Sequence, residues 1–206
     1  MITSKLAALE TKIAEALPPL RFKKTLMLLP PIGHVLRGIW FDRSAYDEVS
    51  FSVTAFLMPL CVPTDHLYFN FGDRVRHKGG GDRWNMDMPN LVTDLVAALR
   101  SQALPFLSRG ETLEGFIEVA KSGPPTSRTL ESLGYAVAQT GDAKQAIEIL
   151  SRIRPMLNTE IAWQRELGDQ VRALSAELAK HPEKVQKQLA QWEEETVRNL
   201  GLHEFR

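Results

Sequence analysis

Residues 3–17 carry Leu6, Leu9, Ile13, Ala16 and Leu17 at three- and four-residue spacing. That is the period of a helix with one apolar face, and it predicts a helix over 3–17. Thr3 or Ser4 can cap its start, and Pro18-Pro19 ends it, because proline cannot continue the backbone ladder. The period then shortens. Residues 25–29 form a short apolar run, followed by 35–42 and 48–57; in the last of these Val49, Phe51, Val53 and Ala55 alternate with Ser50, Ser52 and Thr54. Such alternation predicts a strand with one buried face. Residues 66–72 repeat the pattern, with Leu67, Phe69 and Phe71 on one side and Tyr68 and Asn70 on the other. The connections are short and hold no crossover helix, which predicts a largely antiparallel sheet. Residues 74–84 read as a polar, Gly-rich loop.

From Asn90 the helical period returns. Leu91, Leu95, Ala98 and Leu99 share a face, and the helix is expected to run to about residue 104, before Pro105. A shorter helix is expected over 112–121. Ser122-Gly123-Pro124-Pro125 combines two breakers and marks the best boundary in the chain. Beyond it only helices are expected, over 127–140, 143–154, 159–180 and 182–200, with Gly141-Asp142 as a tight turn. The fold class is therefore α+β: residues 1–122 form a domain of helix, antiparallel strands and two helices, and residues 126–206 form an all-helical region.

Leu133-Gly134, Gly141 and Ala146 stand at the spacing of a tetratricopeptide-type helical hairpin, which residues 130–150 resemble. Small residues there let two helices approach closely, and Gly141 lets the chain turn. The resemblance implies helix packing and, through it, peptide binding; no second copy follows at the repeat period. Leu20-Arg21-Phe22-Lys23-Lys24 after a first helix, followed by the strands over 37–42 and 49–56, resembles an uncharacterised bacterial α+β domain family over about residues 1–120. Some small α+β proteins of this kind look like immunity or partner-binding proteins, and the family offers no catalytic residues to carry over.

Composition narrows the functions. Of 206 residues, 44% are hydrophobic and 24% charged, the balance of a folded chain. Twenty-five basic residues meet 25 acidic ones. Duplex nucleic-acid binding draws on a basic excess, so nucleic acid is an unfavoured partner. Aromatic residues at 40, 41, 68, 69, 71 and 84 could stack bases on an exposed sheet, but the even charge favours a core role. No run approaches the length of a membrane span. Cys61 is the one cysteine, which suits a reducing compartment and a cytoplasmic location.

Chemistry is sparse. The loop over 74–83 brings Arg74, Arg76, His77, Lys78 and Arg83 beside three glycines, residue types that can cradle an anion. The spacing matches neither phosphate-loop motif. Asp65, His66, Asp73, His77, Asp82 and Asp87 lie close in sequence without metal-ligand spacing, so no metal and no cofactor is expected. Cys61 lies five residues from His66, yet a catalytic thiol needs a base and an electropositive setting. No catalytic residue is assigned. Val185, Leu189, Trp192 and Thr196 form an apolar stripe on the last helix, which either docks on its neighbour or meets a partner. The expected function is a non-enzymatic protein-interaction module, immunity-like or regulatory, with a protein partner or a second copy of itself. The alternative is an enzyme or binding protein for an anionic small molecule or nucleotide held by the 74–83 loop.

Overall fold

The computed structural model describes residues 2–17, 19–23, 26–47 and 49–206, with only the backbone of residues 2–5. Among these the chain is α+β, a six-stranded antiparallel sheet with helices around it and a helical C-terminal region. It divides into two compact units, one of residues 1–57, 72–111 and 205–206, the other of residues 58–71 and 112–204. Residues 122–125 lie within the second of these units.

The first unit opens with helix α1 (Ile2–Ala16), which buries Leu6, Leu9 and Ile13 as their spacing predicts. Thr3 and Ser4 lie inside its first turn rather than before it, and Pro18 lies outside the described residues. Strands β1 (Arg21–Lys23), β2 (Leu26–Leu28), β3 (Val35–Arg43) and β4 (Ser50–Pro59) follow. The sheet order is β1-β2-β3-β4-β5, where β5 is Phe71–Arg74; β6 (Arg83–Asn85) also pairs with β4. Register sets Arg21 opposite Leu28, Leu28 opposite Gly38 and Phe51 opposite Trp84.

Three expectations change here. β4 has one buried face only at its start. From Val53 onward successive residues are buried, Thr54 and Phe56 included, so both faces are covered. Residues 66–70 are irregular, and the strand starts at Phe71. Local hydrogen bonds compete for that backbone: the Thr64 hydroxyl accepts from the His66 N–H at 3.2 Å and donates to the His66 carbonyl at 3.0 Å. The 74–84 segment is a connection that ends in strand β6, paired with β4, rather than a free loop. Trp84 is its anchor, fully buried with its indole N–H donating to the Val75 carbonyl at 3.0 Å.

Helix α2 (Leu91–Ala98) passes into a π-helical segment, Leu99–Ala103, and then into α3 (Leu104–Arg109). Pro105 was expected to stop the helix. It sits instead at the start of α3, where a missing N–H is tolerated, and the wider turn before it makes room for its ring.

The second unit holds α4 (Leu113–Ser122), α5 (Ser127–Gln139), α6 (Ala143–Ser151), α7 (Ala162–Leu178) and α8 (Pro182–Leu200). No strand follows residue 122 among the described residues. Thr112 and Asp142 cap α4 and α6 through their side chains, and Thr126 with Thr129 makes a capping box for α5. Helices α5 and α6 pack closely. A side chain on Gly134 would put its Cβ 2.5 Å from Leu150 Cδ2, and Gly141 turns the chain at φ 95°. The stripe on α8 is buried against α5 and α7: Val185, Leu189 and Thr196 are inaccessible to solvent. Among the described residues, no helix is long and apolar enough to cross a membrane.

Candidate functional site

The basic side chains of the 74–83 segment do not share one cradle. Arg74 and Arg83 line a depression with Arg43, where Arg74 hydrogen-bonds to Ser52, and Asp42 and Asp82 lie on the same walls. Lys78 pairs with Asp94 on α2 at 2.9 Å. Arg76 is held through its backbone, whose N–H donates to Gln102 Oε1 at 2.9 Å and whose carbonyl accepts from Gln102 Nε2 at 2.8 Å. His77 stands edge-on to Trp84 with ring centroids 5.8 Å apart, and its Nδ1 accepts from the Gly79 N–H. The glycines at 79 and 81 therefore accommodate the His77 ring within the connection.

Cys61 is fully buried, and burial, with Glu193 and Glu131 nearby, pushes its thiol far above the ordinary value. It has no thiolate to offer as a nucleophile. His66 bonds to Asp65 at 2.9 Å and is exposed. Of the sheet aromatics, Phe41, Phe71 and Trp84 are buried, so no stacking platform forms from them. No group of three or more His, Cys, Asp or Glu that could hold a metal occurs among the described residues.

A different feature stands out in the second unit. Four large hydrophobic residues are exposed among those described, and three of them, Met156, Ile161 and Trp163, fall within eight residues that span the α6–α7 connection and the first turn of α7. The connection is not slack. A 3-10 turn spans Arg154–Met156, the Asn158 N–H donates to Gln164 Oε1 at 2.6 Å, and Asn158 Oδ1 accepts from the Glu160 N–H at 3.0 Å. Arg165 donates to the Thr159 carbonyl. These bonds fix the path of the connection.

Beside this connection runs a groove of about 460 Å³. Its apolar lining includes Ile147, Leu150, Ile153, Leu157 and Val171, from α6, the connection and α7. Arg154, Arg165 and Arg172 add three guanidinium groups against one carboxylate, Asp169, which pairs with Arg172 at 2.7 Å. An apolar floor with a basic border can take apolar anchors and hold acidic groups beside them. The apolar residues over 153–163, among proline, asparagine and threonine, were the sequence signal for this surface; the helix expected from 159 hid it, since α7 starts only at Ala162.

No known protein family, curated protein or solved structure matches the chain.

Proposed function

We propose that this protein is a protein-interaction module, immunity-like or regulatory, that receives an acidic segment with apolar anchors in the groove between α6 and α7. The observation that carries this reading is the apolar groove bordered by arginines, with the exposed Met156, Ile161 and Trp163 in the adjoining stretch of chain. Exposed apolar clusters of this kind mark interaction surfaces, and tryptophan and arginine dominate the energetics of such surfaces. The close α5–α6 hairpin supports kinship with tetratricopeptide-type packing, which presents partners with helix-lined grooves. The buried thiol suits a cytoplasmic setting.

The test selects peptides from a random display library on the full-length protein. The selected peptides should be rich in Asp and Glu around Leu, Phe or Trp. Their affinity should fall as salt rises and drop about tenfold or more in Trp163→Ala and in Arg165→Glu, each loss corresponding to more than about 1 kcal/mol. Both changes lie on exposed positions and should leave the melting temperature in place. Peptides without acidic bias, or equal binding by Arg165→Glu, would sink the proposal. A concentration-dependent dimer abolished by Ile161→Asp would likewise overturn it, by showing that a second copy covers the groove.

A further inference from the structure

A second concavity in the helical unit uses none of the groove's lining. It measures about 290 Å³ and lies between residues 62–70 and the first turns of α5. Glu131 lines it with a side chain 3% exposed, and its Oε2 accepts from Arg128 Nη1 at 2.9 Å. Arg128, one helical turn earlier, is 47% exposed, and its guanidinium lies 4.8 Å above the Trp163 ring. The carboxylate is thus deep and the guanidinium at the mouth.

Around the pair the walls mix hydrogen-bonding side chains with Val62 and Pro63. The Tyr68 hydroxyl donates to the Pro59 carbonyl at 3.3 Å, and Ser132 lies on the same lining. Thr64 and Asn70 complete that side, with His66 held between Thr64 and Asp65. One turn beyond Glu131 the Tyr135 hydroxyl is buried with no hydrogen-bond partner. A helix interior with a buried carboxylate and an orphaned phenol is costly to maintain for stability alone.

We propose that this cavity binds a small zwitterion of α-amino-acid type, its ammonium on Glu131 and its carboxylate on Arg128. The geometry selects that class. A simple cation entering would meet the Arg128 guanidinium, and a simple anion would face the buried carboxylate. A molecule carrying both signs lies antiparallel to the existing pair and satisfies each member, in a volume that suits a free amino acid. Thr64, Asn70 and Ser132 are left to read its side chain.

The experiment titrates the full-length protein with each of the free proteinogenic amino acids, by thermal shift and then calorimetry. For any that bind, the matching amine without the carboxylate and the matching acid without the amine are run beside it. The expected result is a rise in melting temperature for one or a few amino acids, with binding at least tenfold weaker for both truncated analogues. Glu131→Gln and Arg128→Gln should each weaken binding tenfold or more. Arg128 lies half-exposed, so its variant keeps the test valid if Glu131→Gln fails to fold. No response to any amino acid overturns the proposal. Equal binding of the amine alone, or of the acid alone, also overturns it, by revealing a plain cation or anion site. Undiminished binding by Arg128→Gln does the same.

Discussion

The buried carboxyl of Glu131 shows how one residue can set the pH response of a fold. Burial raises it above its ordinary value of 4.5, and the Arg128 guanidinium only partly pulls it back. The folded chain therefore holds this proton more tightly than the unfolded chain. The stability it contributes is fully present below about pH 4.5 and is lost as the pH rises through the raised folded value. Glu131→Gln removes the titration. Thermal melts from about pH 4 to about pH 8 should show the native protein losing stability relative to the variant across that window, with the difference flat above it. Parallel curves would mean that Arg128 cancels the burial cost. Glu10, also buried and raised, contributes in the same direction to both proteins and drops out of the comparison.

At the scale of elements, the α5–α6 hairpin depends on the absence of a side chain at Gly134. An added methyl would lie 2.5 Å from Leu150 Cδ2 and 2.7 Å from its Cγ, so the Leu150 side chain or the helix pair must shift to admit it. Gly134→Ala should lower the unfolding free energy by about 1–3 kcal/mol despite alanine's better helix propensity, as read from urea denaturation. A stabilised variant would show that the helices can separate at no cost. This hairpin was legible in the sequence because small residues at fixed spacing have one main use between helices. The first helix, strand β4 and the bounds of α8 were legible through a sustained period, and β3 as an apolar run. The 66–72 alternation misled, since Thr64 hydrogen-bonds the adjacent backbone and no periodicity reports that. Pro105 misled too, because a π-helical turn admits a proline that a regular helix interior would not. The anion cradle over 74–83 rested on residue types alone. Lys78 turns to Asp94 and Arg76 to Gln102, pairings set by a helix that begins only at Leu91. The α6–α7 groove was hidden by the opposite effect, apolar residues that looked destined for a core.

For the whole molecule, the division into units predicts how it can be cut. A fragment of residues 126–206 loses α4, which packs on α5, and residues 58–71. It also loses the Val62 and Thr64 carbonyls, which accept from the Thr196 hydroxyl and the Asn199 amide at 3.3 Å each. That fragment should show no cooperative thermal transition by circular dichroism. A melt matching that of the full chain would make the helical region an independent domain. The chain passes from one unit to the other after Leu57, Phe71, Glu111 and Glu204. Phe205 returns to the first unit, where its carbonyl accepts from the Ile32 N–H at 2.8 Å. The second unit is thus nested between the opening and the closing residues of the first. On the ribosome the sheet unit begins to emerge first, yet it acquires its last hydrogen-bond partner only after the entire helical unit has been made. Its N-terminal half must wait, incomplete, through most of synthesis, and that interval is when its apolar strands most need shielding by chaperones.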